Sequence, residues 1–321
     1  MQYATSGIHH ITAIAGDPQR NLDFYAGTLG LRLVKRTVNF DDPGTYHFYY
    51  GNRTGQPGTL LTFFPWSGAF PGRRGAGQAT VTAFAVPAES LGYWEDRLGA
   101  REVTGVTRRE RFGAPALRFN DPDGMALELI GHPSVGQIGG HPDSAVPGAY
   151  AIRRFHGTTL TLGRVDATAQ VLTDVLGLVP IGTDGACSRF APLDPNGGVV
   201  DLLRDPSASG GTLGAGSVHH VAWRATDGAQ QLELRGRVLE HALSVTPVVD
   251  RQYFQSIYFR EPGGVLFEVA TDGPGFLIDE SETTLGEALK LPPRYESERA
   301  AIESLLVPVT LPRVGPTPVE A

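Results

Sequence analysis

A single cysteine, Cys187, stands among the 321 residues, so no intrachain disulfide can staple the fold. That scarcity fits a reducing compartment and sets the expectation of a cytoplasmic protein. Long apolar runs are missing as well. Nothing approaches the ~18 uninterrupted apolar residues a membrane span needs. The N-terminal stretch shows no basic segment leading into an apolar core, so no secretion signal and no membrane partner are expected. Positive charge is in deficit, with 27 Lys and Arg against 34 Asp and Glu and a net charge of −7. This argues against nucleic acid or an anionic lipid surface as the main partner. Charge is also sparse overall, at 19% of residues against 41% hydrophobic, which implies a packed core. Abundance lies in glycine (41) and proline (24), which predict many turns and short strands.

Two His-His pairs punctuate the chain, in "GIHHITAIAGD" (7–17) and "SVHHVAWRATD" (217–227). From His10 to Asp17 is seven residues, and from His220 to Asp227 is again seven. Each Asp precedes a helical pattern, 18–30 and 228–242. A third copy begins at His156, which precedes Gly177 by 21 residues as His9 precedes Gly30. A fourth, weaker copy covers 79–99. Every copy then runs through a Pro/Gly turn, "QPG", "DPDG", "DPNG" or "EPGG", into a strand. Four residues past the last quoted glycine stand Thr62, Glu128, Asp201 and Glu268. A repeat of strand, helix and three strands with a period of roughly 70 residues therefore organises the chain. Each copy is half of a barrel-like sheet and must pair with another to bury its inner face. The expected class is α+β, with modules at 1–70, 71–133, 154–206 and 207–273. A Gly/Pro-rich linker is expected at 134–153, and a tail at 274–321 with a helix over 294–306.

What the cups hold depends on which copies pair. Copies one and two would gather His10, Thr62, Thr80 and Glu128. Copies three and four would gather Gly157, Asp201, His220 and Glu268. Pairing one with four gathers His10, Thr62, His220 and Glu268, and only this set holds two imidazoles and one carboxylate. It leaves Thr80, Glu128, Gly157 and Asp201 as a lapsed site. Two His and one carboxylate on one face of an octahedral metal is the arrangement of non-haem Fe(II) oxygenases, with about three positions left open. Strand alternation places His10 with Thr12 and Ile14 but puts His9 and His219 on the opposite face, unless a bulge turns them inward.

With the repeat and these motifs, the chain resembles the vicinal-oxygen-chelate superfamily of glyoxalases, extradiol dioxygenases and bleomycin-binding proteins. "GIHHIT" (7–12), "SVHHVAW" (217–223), 250–272 and "LPPRYESERAAIESLL" (291–306) resemble its hydroquinone ring-cleaving dioxygenase branch. The resemblance implies four βαβββ modules in two cup-like half-barrel sheets, modules one and four sharing the metal. It implies that His10, His220 and Glu268 bind Fe(II), with Mn, Zn or Ni as alternatives. It implies further that His9, Thr12, His219, Arg251 and Tyr258 surround a small aromatic substrate that reacts with O2. A homo-oligomer is compatible with the family.

The rival readings are a glyoxalase-like isomerase or thiol transferase, which would add a fourth protein ligand, and a non-catalytic small-molecule binder. Glu128 is expected in an ion pair or facing solvent, and His156 in a structural role. His47, His132, His141 and His241 carry no motif, and Cys187 lies away from the proposed cup.

Overall fold

The computed structural model describes residues 4–133, 135, 141 and 144–311. Of the expected linker, residues 134, 136–140, 142 and 143 lie outside them, as do 312–321 of the expected tail. The first module contributes β1 (Ile8–Ala15), β2 (Arg32–Asn39), β3 (Asp42–Gly51) and β4 (Leu60–Pro65). The second contributes β5 (Gln78–Pro87), β6 (Thr107–Arg111), β7 (Ala114–Asn120) and β8 (Ala126–His132). The third holds β9 (Arg154–Leu162), β10 (Val179–Asp184), β11 (Cys187–Ala191) and β12 (Val199–Arg204). The fourth holds β13 (Ser217–Ala225), β14 (Val249–Asp250), β15 (Phe254–Arg260) and β16 (Leu266–Pro274).

These strands form two eight-stranded sheets, ordered β14-β15-β16-β13-β1-β4-β3-β2 and β10-β11-β12-β9-β5-β8-β7-β6. The first module therefore pairs with the fourth, and the second with the third. Within each module the parallel crossover, β1 to β4 or β13 to β16, brackets the helix and the hairpin strands. The architecture is α+β, made of paired βαβββ units.

The Asp that follows each His-His pair caps a helix. Asp17 accepts from Arg20 N at 2.7 Å, with Pro18 at the first helical position of α1 (Pro18–Leu22). Asp227 accepts from Gln230 N at 2.9 Å at the start of α2 (Gly228–Glu240). Such caps satisfy orphan N–H groups and contribute about 1 kcal/mol each. Gln231, Leu234 and Val238 form the buried face of α2, and Gln231 Nε2 donates to Gln255 O and Val269 O, stitching the helix onto β15 and β16. Gly30 (φ +68°) and Gly177 (φ +72°) end the corresponding helical segments of modules one and three in the left-handed region that glycine adopts without strain. In the tail, a 3-10 turn Pro293–Glu298 leads into the helix Arg299–Leu305. Further up the tail, Lys35 of β2, fully buried, is paired with Asp279 at 2.6 Å and with Glu280.

Candidate metal centre

The two His pairs meet where β1 and β13 run antiparallel through the middle of the first sheet. Ile8 faces Trp223 and His10 faces Ala222, so His9 is an extra residue on β1. Further along, Thr12 faces His220 and Ala13 faces Val218, so His219 is the extra residue on β13. These two β-bulges break the simple alternation that would have sent His9 and His219 to the far face. The His9 ring lies 5.1 Å from that of His10, and the His219 ring 5.1 Å from that of His220.

His10, His220 and Glu268 converge, with one potential ligand atom from each within 4.8 Å of the others. His10 Nε2 is 3.3 Å from His220 Nε2, and Glu268 Oε2 is 2.9 Å from His220 Nε2 and 3.4 Å from His10 Nε2. Ligand atoms about 3 Å apart subtend right angles at a cation with bonds of about 2.1 Å, the arrangement of one octahedral face.

Proton placement follows from a backbone carbonyl. Thr271 O can only accept, so His9 donates to it from Nε2, at 3.1 Å. Burial pushes the pKa of His9 down to about 3, which keeps it neutral and leaves Nδ1 as an acceptor. His10 then donates from Nδ1 across 2.9 Å, and its Nε2 keeps a bare lone pair toward Glu268. His219 and His220 repeat the Nδ1–Nδ1 contact at 2.8 Å. Burial likewise lowers the pKa of His220, and that of His219 to about 4. Glu268 is fully buried, with its Oε2 turned toward the ring nitrogens of His10 and His220. Its Oε1 accepts from Ser256 Oγ, while Oε2 has no hydrogen-bond donor among the described residues. A buried carboxylate oxygen without a donor, facing a bare imidazole nitrogen, is costly by itself and fits a divalent cation.

A cavity of about 320 Å³ opens over the triad, with Phe64, Trp66, Phe254 and Leu266 among its walls and His219, Arg251 and Tyr258 among its polar groups. Arg251 Nε donates to Tyr258 Oη at 3.0 Å, and Arg251 Nη1 lies 3.1 Å from Asp41. His219 is thus in the cavity wall, whereas His9 is sealed behind it with both nitrogens bonded. Thr12 is also fully buried and contacts Thr62, Oγ1 to Oγ1, at 2.8 Å. The sequence reading passed over His47, which lines the cavity, because a lone histidine in "TYHFYY" carries no pattern that separates it from a packed one.

The second sheet shows what becomes of the same positions without histidines. Glu128 and Asp201 share Arg111, and Arg189 grips Asp201 through two hydrogen bonds of 2.7 and 2.8 Å. Arg118 also approaches Glu128, at 3.5 Å. Guanidinium groups occupy the centre of this cup and leave only about 10 Å³ of free space.

Paired βαβββ cups, with two imidazoles and one carboxylate that could hold a metal ion, define a protein of the vicinal-oxygen-chelate fold. A sequence model of the Glyoxalase/Bleomycin resistance protein/Dioxygenase superfamily matches residues 7–129 and 154–269, and the chain belongs to that superfamily. It is 49% identical over 308 residues to MhqO of Bacillus subtilis (strain 168), which carries a provisional name as a ring-cleaving dioxygenase; the match spans 96% of this chain and 98% of that protein. It is 40% identical over 301 residues to the chlorohydroquinone/hydroquinone 1,2-dioxygenase of Sphingobium indicum, spanning 90% of this chain and 92% of that one. A crystal structure from Bacillus subtilis, provisionally titled a dioxygenase, superposes with a TM-score of 0.91 at 48% identity, over 96% of this chain and 98% of that one. Among the described residues no helix is long and apolar enough to cross a membrane.

Proposed function

We propose that this chain is an Fe(II)-dependent ring-cleaving dioxygenase that opens a hydroquinone-type aromatic, with or without ring substituents, and places both atoms of O2 in the product. The observation that carries the reading is the open triad: His10, His220 and Glu268 beneath a cavity of about 320 Å³. Three protein ligands leave about three positions free for a phenolic oxygen and O2 together. An apolar cavity of about 150 Å³ accepts benzene, so this one has room for a hydroxylated ring and substituents. Bound Fe(II) would supply the electron transfer between ring and O2 that a closed-shell ring cannot achieve alone.

The chain's own groups bind and orient the substrate. Phe64 and Phe254 provide apolar faces for an aromatic ring. With His220 Nε2 given to a metal ion, its proton would sit on Nδ1 and be donated across 2.8 Å to His219 Nδ1, so that His219 would present Nε2–H as a donor to a substrate oxygen. Arg251 holds the Tyr258 hydroxyl and brings a fixed positive charge toward developing negative charge on oxygen. His9 acts through His10 and not on the substrate. The expected setting is the cytoplasm.

Two other readings compete. A glyoxalase-like isomerase would use a fourth protein ligand, but the matching position is Thr62, whose hydroxyl is held by Thr12 and His47. A sequestering protein has no use for a buried carboxylate kept without a donor. Oxygen-electrode measurements on protein loaded anaerobically with Fe(II), using hydroquinone and catechol in parallel, separate the three. Oxygen uptake with loss of aromatic absorbance is expected with hydroquinone; no uptake with any dihydroxybenzene refutes the proposal.

A further inference from the structure

The β1–β13 contact relates modules one and four by an approximate twofold axis, and the two halves differ in one row. In module four, Ala222 faces Glu268 and Glu268 faces Tyr258 across β13, β16 and β15. In module one, Thr12 faces Thr62 and Thr62 faces Tyr49 across β1, β4 and β3. Two residues before each tyrosine, Ser256 bonds Glu268 and His47 bonds Thr62. Where module four offers an anionic ligand held by a serine, module one offers a neutral hydroxyl held by a histidine.

The hydrogen bonds in this row can be counted. Tyr49 is buried, and its phenol, kept protonated by that burial, touches His47 Nδ1 at 2.9 Å. No other acceptor for it is found among the described residues, so Tyr49 donates and His47 carries its proton on Nε2. His47 Nε2–H donates to Thr62 Oγ1 at 2.9 Å, and Thr62 meets Thr12 at 2.8 Å. Tyr49, His47, Thr62 and Thr12 supply four protons for three contacts. One hydroxyl proton, on Thr12 or Thr62, is left over.

We propose that His47 and Tyr49 are positioning residues that lock the Thr12–Thr62 hydroxyl pair, so that its spare proton donates to an oxygen ligand entering on the module-one side of the triad. The twofold relation gives Thr62 the position in module one that Glu268 holds in module four. The inference rests on the proposed activity for the identity of the entering oxygen, not for the chain of hydrogen bonds.

Two measurements test it. Long-range ¹⁵N–¹H correlation on the metal-free protein reads imidazole tautomers, with His47 assigned by its loss in His47→Gln. The wild type is expected to hold His47 as the Nε2–H tautomer, and Tyr49→Phe to release it into a mixture. Anaerobic calorimetry on Fe(II)-loaded protein then reads the Kd for hydroquinone. His47→Phe is expected to weaken binding on the order of tenfold at unchanged metal content, the worth of one hydrogen bond. His47→Gln, whose amide can still donate to Thr62, should recover most of that loss. An Nδ1–H tautomer in the wild type overturns the inference, as does equal loss in His47→Phe and His47→Gln, or loss in neither. Wild type that binds hydroquinone but consumes no oxygen sinks the proposed activity and leaves this inference standing.

Discussion

His9 and His10 meet Nδ1 to Nδ1 at 2.9 Å, and the far side of His9 is anchored on Thr271 O of β16, the strand that carries Glu268. One carbonyl thereby decides that the nitrogen of His10 facing the triad is unprotonated. His9→Phe removes the acceptor for His10 Nδ1. We expect it to weaken metal binding by about 10–100-fold, as loss of an outer partner of a ligating imidazole typically does. Competition with a chromogenic chelator measures this, and unchanged affinity would show that the His9 contact has no part in tuning His10.

Glu268→Gln removes a buried charge and the oxygen that has no hydrogen-bond donor among the described residues. Metal-free, the variant should be as stable as the wild type or more so. The wild type at metal concentrations about 1,000 times Kd should gain about 4 kcal/mol, and the variant should gain little. Thermal denaturation with and without Fe(II) or Mn(II) reads both effects. Equal metal stabilisation of the two proteins would remove Glu268 from the ligand set.

Arg111 stands between Glu128 and Asp201 in the second cup. Arg111→Ala takes one partner from each of two buried carboxylates, leaving Glu128 with Arg118 at 3.5 Å and Asp201 with the closer Arg189. A loss of about 3 kcal/mol in urea unfolding is expected. Combining it with Glu128→Gln should restore part of the loss, because the remaining charge is then the one Arg189 neutralises.

Burial lowers the pKa of His156 from 6.5 to about 3. The unfolded chain therefore takes up a proton before the folded one as the pH falls. Stability from this group is complete above about pH 6.5 and is lost progressively toward about pH 3. Between about pH 7.5 and about pH 5.5 it accounts for at most about 1.4 kcal/mol. Urea unfolding of His156→Gln at the two pH values should show a smaller drop than the wild type. The drop will not vanish, since His9 and His219 have pKa values lowered by burial in the same way.

The modular repeat was legible because it is written in local chemistry: an Asp that caps a helix, a glycine that can turn left-handed, an acid spaced four residues past a turn. Glu128 was legible only as an ion-paired or solvent-facing acid, and its burial beside Arg111 decides for the pair. Lys35 was not, because its partners Asp279 and Glu280 lie some 240 residues downstream and no periodicity links them. His47 was missed for the same reason, its chemistry residing in contacts across three strands.

From the residues alone came the four βαβββ units and the short list of side chains able to hold a cation, both consequences of spacing along one strand or turn. Only the tertiary structure decided which units share a sheet, that bulges turn His9 and His219 toward the centre, and which nitrogen of His10 is bare. Strand pairing, register shifts and proton placement depend on partners far apart in the chain, and a local pattern carries no information about them.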